Sequence, residues 1–220
     1  MWSIKILADN PDEQTKLRKV LQDTFPQALA ERRLLTNAEI HDTNIPYLDA
    51  TIEELMRCSP TLPINSRTAV RDTVVLGHHI PKGTILFLFS ANKHGVQIPP
   101  YAIDESKRTE TARNAKAAGK TTGAWDESDV LQYKPDRWLK DDGDAGQRFD
   151  PMAGPHLGFG LGLRGCWGRR LAYVEMRSLI VLIIWRFVLD RCPEEVSVYN
   201  AIDGITHRPK HCYVKLKDAY

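Results

Sequence analysis

A chain of 220 residues, 42% hydrophobic and 26% charged, is long enough for one sizeable core and too apolar to be disordered. Its formal charge of +2, with no basic stripe interleaved with aromatics, excludes nucleic acid as a partner. The four cysteines, at positions 58, 166, 192 and 212, form no Cys-x-x-Cys pair, which excludes a disulfide scaffold and the usual zinc spacings and fits a reduced compartment with free thiols.

The first nine residues lack the basic start and the long apolar run of a signal peptide. Residues 9–23 predict a helix opened by Asp9 or Asn10, with Pro11 in the first turn, acids at Asp12 and Glu13, and Leu17, Val20 and Leu21 on one face. It ends before Pro26. A second helix is predicted over 46–58, with Leu48, Ile52, Leu55 and Met56 apolar and Pro60 closing it. The period then changes, and residues 73–76 and 84–89 read as two short strands around a turn at 77–83. Residues 104–128 are polar and read as a surface insertion, within which 106–116 has the composition of a short solvated helix. The last marked helix is predicted over 168–189. Its longest apolar run, residues 179–185, lies between Arg177 and Arg186 and falls far short of the roughly 20 residues needed to cross a bilayer, so it reads as a core helix and no transmembrane segment is expected. Residues 196–199 and 212–216 read as closing strands, and there is no internal repeat. The result is a mainly α chain with small β-sheets, an α+β fold.

The stretch Phe159-Gly160-Leu161-Gly162-Leu163-Arg164-Gly165-Cys166-Trp167-Gly168 presents one cysteine from a glycine-rich loop just before that apolar helix. Glycines let the backbone approach a flat ligand and take positive φ. The helix start offers unpaired N–H groups and a positive dipole end, and both favour the thiolate, the form that ligates metals. The same letters satisfy the Gly-x-Gly-x-x-Gly dinucleotide pattern. A dinucleotide turn follows a buried strand, however, and residues 149–156 carry two prolines and no β-branched run. A plain buried cysteine at a helix start is the other alternative, and the flanking Arg164 and glycines argue against it.

The loop resembles the haem-binding loop of cytochrome P-450 monooxygenases, with Phe159, Gly160, Gly162, Arg164, Cys166 and Gly168 at the family's signature positions. The resemblance implies a haem b cofactor with Cys166 as its proximal thiolate ligand. It also implies Arg164 as a propionate ligand and Phe159 packed beside the sulfur, keeping it dry. Glu54-Leu55-Met56-Arg57 places a carboxylate and a guanidinium on one helical face, by itself a surface pair worth about 0.2–0.5 kcal/mol. With Lys134-Pro135-Asp136-Arg137-Trp138 it is similar to the family's Glu-x-x-Arg helix and Pro-x-Arg-aromatic segment. By that resemblance Glu54, Arg57 and Arg137 form an internal salt-bridged triad that fixes the meander leading to the cysteine loop. Arg67, between Pro63 and the first predicted strand, lies where the family sends a second basic residue to a propionate; the alternative is an ordinary exposed arginine.

Further matches, at Asn10-Pro11 with Gln14, Lys16, Leu17 and Arg18 and at Ile80-Pro81-Lys82-Gly83, extend the resemblance over essentially the whole chain. No two histidines lie at ligand spacing on a predicted helix. His78 and His79 are expected in a turn, His207 and His211 near the charged end, His94 where the family often carries a histidine after a strand, and His156 ahead of Phe159; each reads as surface or structural.

Family members are about twice as long. By the resemblance, residues 1–220 are the C-terminal part of a single cytochrome P-450 domain, its haem-thiolate proximal half, and residues 4–8 are the tail of the long distal helix. The implied activity is insertion of one oxygen atom from O2 into a small organic substrate, with electrons from an NADPH-dependent cytochrome P-450 reductase. The insertion and residues 149–151 are similar to fungal members, many of which oxidise secondary metabolites. The distal proton relay, a membrane anchor and much of the substrate pocket have no counterpart here, so no catalytic side chain is assigned. A full-length relative would lie at the endoplasmic reticulum membrane, whereas these residues alone would be cytoplasmic. A catalytically inactive, truncated haem-binding remnant is the alternative, and a binding module built on residues 104–128 a more distant one.

Overall fold

In the computed structural model, which describes residues 1–62, 64–89, 104–143, 146–160, 162–204 and 206–220, helix α1 (Trp2–Asp9) opens the chain. Proline then starts three of the next four helices: α2 (Pro11–Thr24), α3 (Pro26–Ala30) and, after α4 (Asn37–Asp42), α5 (Pro46–Cys58). At the first helical position the missing N–H costs nothing and φ is already set. Pro26 thus stops α2 and restarts the chain in α3, a helix that the sequence reading did not foresee. The start of α4 is a capping box, with Thr36 Oγ1 accepting from the Glu39 N–H at 3.3 Å and Glu39 Oε2 accepting from the Thr36 N–H at 2.7 Å.

Helix α6 (Glu110–Ala117) is solvated on all sides, whereas α7 (Arg169–Arg186) drives Ile180, Val181, Ile184 and Trp185 into the core. They meet Ile6 and Leu7 of α1, Leu17 and Leu21 of α2 and Leu48 of α5, each such side chain contributing about 1.5–3 kcal/mol when fully buried. No helix among the described residues is long and apolar enough to cross a membrane. Buried Gln14 locks the helices to one strand. Its Nε2 donates to the carbonyls of Leu7 and Leu189, both at 3.0 Å, and its Oε1 accepts from the Leu189 N–H at 2.9 Å.

Five two-stranded antiparallel sheets among the described residues complete the α+β architecture. β1 (Ile64–Thr68) pairs with β4 (Ile85–Phe89), and between them β2 (Thr73–Val75) pairs with β3 (His78–Ile80). The turn expected over 77–83 is therefore tighter, formed by Leu76 and Gly77 at φ 51° and 84°, which matches the paired positive φ of a two-residue hairpin. His78 and His79 are in a strand rather than a turn. β5 (Leu139–Asp141) pairs with β6 (Gln147–Phe149), β7 (Phe187–Arg191) with β10 (Val214–Asp218), and β8 (Ala201–Asp203) with β9 (His207–Pro209). The helix expected to reach residue 189 ends at Arg186, because Arg18 takes the carbonyls of Ile184 and Phe187 at 3.0 and 2.6 Å and residues 187–191 go to the β10 ladder. Residues 196–199 contribute only a single bridge, Ser197 to Cys212.

The stretch read as an insertion is not wholly superficial. Trp125 is buried, with its ring 4.7 Å from that of Trp138 and its Nε1 donating to Pro155 O at 3.0 Å. The backbone is pinned alongside by the bond from the Gly123 N–H to Met152 O at 2.9 Å. Trp125 also lies 5.7 and 5.5 Å from the guanidiniums of Arg57 and Arg137.

Those guanidiniums converge on Glu54, whose side chain is fully buried, as is that of Arg57. Arg57 grips the carboxylate with Nε and Nη2, both at 2.7 Å, and donates to Val130 O and Gln132 O at 2.7 and 2.9 Å. Arg137 Nε reaches Glu54 Oε1 at 3.0 Å, the Lys134 N–H reaches the same oxygen at 2.8 Å, and Trp138 Nε1 reaches Oε2 at 2.9 Å. Arg137 also binds Asp129 Oδ1 at 2.8 Å, and Lys134 Nζ binds Asp129 Oδ2 at 2.7 Å. Burial acts to lower the Arg57 pKa, but the Glu54 carboxylate outweighs it and holds the pKa above the ordinary value.

Replacing Glu54 by Gln leaves the buried Arg57 guanidinium without an anion and Arg137 with Asp129 alone, and is expected to cost about 3–5 kcal/mol in urea unfolding; a loss of about 0–1 kcal/mol, that of an exposed pair, would show that water reaches the site. A methyl at Gly154 would stand 2.4 Å from the Trp125 ring. Gly154→Ala is therefore expected to destabilise by about 1–3 kcal/mol with a shifted tryptophan emission, and an unchanged midpoint and spectrum would contradict the packing. Lys134 and then Arg137 hold the Asp129 carboxyl below its ordinary pKa. Its contribution is complete above the unfolded value near pH 4 and fades as pH falls through the folded value. The acid limb of the stability curve should thus flatten in Asp129→Asn and keep its slope if the pairing is absent.

Candidate functional site

The cysteine loop is built to turn its tip outward. Gly160 and Gly162 both sit at φ +65°, the left-handed region that costs a side-chain-bearing residue most. The Gly165 N–H closes a short 3-10 turn onto Gly162 O at 3.0 Å, and the Cys166 N–H reaches back to Phe159 O at 2.7 Å. Two residues later Gly168 caps α7, with the Arg169 N–H donating to Cys166 O at 3.3 Å. Cys166 is the one exposed cysteine, the other three being half-buried. A Cβ on Gly168 would come within 3.9 Å of its sulfur.

Phe159, Gly160, Leu163, Cys166, Trp167 and Arg169 line one open depression of about 770 Å³. Leu163 and Trp167 are completely solvent-exposed there, an arrangement that marks a surface for a ligand or partner. Among the described residues no three His, Cys, Asp or Glu side chains gather to hold a metal ion. A lone soft thiolate therefore suits a metal that brings its own remaining ligands in a flat macrocycle. The donor type, the open glycine-lined approach and the exposed apolar rim all fit such a group.

Phe159 is half-buried, its ring centroid 5.5 Å from that of Tyr173. Arg164 is exposed and forms no ion pair among the described residues. Arg67 falls inside β1 opposite Leu86, not ahead of the first strand. It is exposed and its guanidinium donates to Ser66 O at 2.7 Å, and no hydrogen bond among the described residues links it to the loop. Glu54, Arg57 and Arg137 lie together in the buried cluster behind the meander rather than in the depression. His94 lies outside the described residues. His207 stacks on Trp2 with centroids 5.5 Å apart, and His156 is bound to Glu53 at 2.8 Å. Sequence reasoning passed over Glu53 and Tyr173; the available signal was a second carboxylate inside a helix whose neighbours are apolar.

The family model for cytochrome P-450 matches residues 1–94 and 109–216. The cytochrome P-450 monooxygenase TRI13 of Fusarium sporotrichioides is 43% identical over 98% of this chain and 38% of its own length. The Hps1-dma1 cluster cytochrome P-450 monooxygenase cyp3.1 of Dothistroma septosporum is 36% identical, over 98% of this chain and 71% of its own length. The haem domain of a cytochrome P-450DA mutant superposes on the whole chain with a TM-score of 0.67 at 20% identity, covering 40% of that structure. The chain thus spans about two fifths of the Fusarium relative. With the family model matching residues 1–94 and 109–216, and with a lone exposed cysteine on a glycine loop ahead of α7, the chain belongs to the cytochrome P-450 family.

Proposed function

We propose that this chain provides the thiolate-bearing wall of a haem monooxygenase site, with Cys166 as the ligand to iron. The observation that carries the reading is the exposed Cys166 thiol at the base of an open glycine-lined depression, its backbone fixed by the bond to Phe159 O. Haem ligated by cysteine supplies activation of O2 and insertion of one oxygen atom into a substrate, using two electrons. The residues of this chain bind and orient. Arg164, with no ion pair among the described residues, is available to a propionate through a charge-assisted bond, and Arg67 is assigned the same task from the β1 strand. Leu163 and Trp167 offer an apolar rim that a bound flat group would cover, and Phe159 would help to keep the sulfur dry. The Glu54, Arg57 and Arg137 triad keeps the meander, and so the entry of the loop, in place.

The electron source in this reading is an NADPH-dependent cytochrome P-450 reductase, and the substrate a small organic molecule of fungal secondary metabolism. Likeness to fungal monooxygenases supports both. An endoplasmic reticulum location goes with the same likeness, and residues 1–220 represent the C-terminal part of a single domain.

The test is the reduced carbon monoxide difference spectrum of the full chain expressed with added haem, beside Cys166→Ser. A red-shifted thiolate-type Soret band in the parent, lost in the variant, is the expected result. A band that survives the substitution would exclude Cys166 as the ligand, and no band in either protein would mean that residues 1–220 do not hold haem.

A further inference from the structure

Beside Glu54 on α5 stands a second buried carboxylate, Glu53, that the haem-thiolate reading leaves without a task. Its Oε2 lies 2.8 Å from His156 Nδ1, and its Oε1 accepts from the Tyr173 hydroxyl of α7. A carboxylate can only accept, so Nδ1 carries the proton. Burial, and then the charge of Glu53, raises the Tyr173 pKa and keeps its hydroxyl a donor. The Glu53 and His156 side chains are 8% and 10% exposed, which leaves little water to compete for either bond.

The imidazole is not there merely to fill space. Its Nε2 is buried without a hydrogen-bond partner among the described residues, an unfavourable state that an apolar side chain of similar shape would avoid. What the ring returns is the Nδ1 bond. Gly158 makes room for it, since a Cβ there would stand 2.7 Å from Nε2, and Trp138 meets it edge-on at 5.9 Å. Three residues further on from His156, the Phe159 ring rests on Tyr173, and the Phe159 carbonyl receives the Cys166 N–H.

We infer that Glu53, His156 and Tyr173 are positioning residues for Cys166: one carboxylate on α5 clamps the entry of the cysteine loop through His156 and, through Tyr173 and Phe159, the backbone contact that sets the cysteine. Its bearing on chemistry rests on the reading of Cys166 as the metal ligand, whereas the ordering of the loop is a property of the polypeptide alone. The adjacent carboxylates then have separate tasks, Glu54 for the meander and Glu53 for the loop. Neither Glu53 nor His156 touches the depression, so the trio acts through the backbone.

The experiment is amide hydrogen exchange by NMR on the full chain without haem, in Tyr173→Phe and Glu53→Gln. Cys166 N–H is the reporter, and Leu189 N–H, bound to Gln14 in the core, is the internal reference. Tyr173→Phe removes only a hydroxyl and should speed exchange at Cys166 by about tenfold while leaving Leu189 unchanged. Glu53→Gln, which can no longer accept from both donors, should have the larger effect. With haem added, the thiolate-type share of the reduced carbon monoxide band should fall in the same order. Unchanged Cys166 exchange in Tyr173→Phe overturns the inference, and so does equal acceleration at Leu189, which would make the trio a general stabiliser. A parent protein without a thiolate band, combined with the expected exchange pattern, would instead sink the haem reading and leave the positioning role standing.

Discussion

A carboxylate removed from water keeps its charge only when the protein replaces the hydration it lost, and Glu54 is held on those terms. Taking such an ion into the interior costs several kcal/mol, and here five donors surround it: two from Arg57, one each from Arg137 and Trp138, and the Lys134 N–H. Only Arg57 belongs to the same helix. The other three come from residues 134–138, so the site is complete only when the meander has docked on α5. A partly docked form would keep the Arg57 pair and lose the other three donors, which couples burial of the carboxylate to docking of the meander. The guanidiniums extend the constraint outward, Arg57 to the carbonyls of residues 130 and 132 and Arg137 to Asp129.

Helix geometry explains how one element governs two regions. Successive side chains diverge by about 100° around an α-helix, so Glu53 and Glu54 face different neighbours although adjacent in sequence. Glu54 looks into the meander and toward Trp138; Glu53 looks toward α7 and the start of the cysteine loop. Trp138 belongs to both sides, its Nε1 on Glu54 and its ring against His156. Movement of the meander would therefore be felt at the loop entry through a single indole.

Elements whose signals are local were legible in the sequence. Proline at the start and apolar spacing mark α5 from Pro46 to Cys58, and the cysteine loop announces itself by composition. Features decided by distant partners were not legible. Phe187-Val188-Leu189 would extend an apolar helix as readily as form a strand, and it is Arg18, more than 160 residues away, that takes one carbonyl of the last helical turn and the first of the strand. Residues 64–68 have no apolar alternation and become a strand only through the ladder to 85–89. Trp125 stands alone in a polar stretch, yet a single aromatic residue buries 150–250 Å², enough to outweigh polar surroundings and draw the end of that stretch against Trp138. Glu53 carried no local signal of its task, because nothing in adjacent residues reveals a histidine and a tyrosine more than a hundred positions downstream.

The cysteine loop combines a fixed base with an open tip, and that contrast bears on how a ligand would be held. At the base, His156 and Trp138 are packed and bonded; at the tip, Leu163, Trp167 and Cys166 stand in solvent. Ordering a loop around a ligand normally subtracts from binding. Here the hydrogen bonds at 159–166 and 162–165 already fix the backbone of the tip, so that cost is met during folding. What binding would add is burial of apolar surface on Leu163 and Trp167, a gain that scales with the area covered. A flat apolar group covers both in a way that a small hydrated ion does not. The fixed base and the unpartnered apolar rim therefore favour the same class of ligand as the thiolate does, on grounds independent of sulfur chemistry.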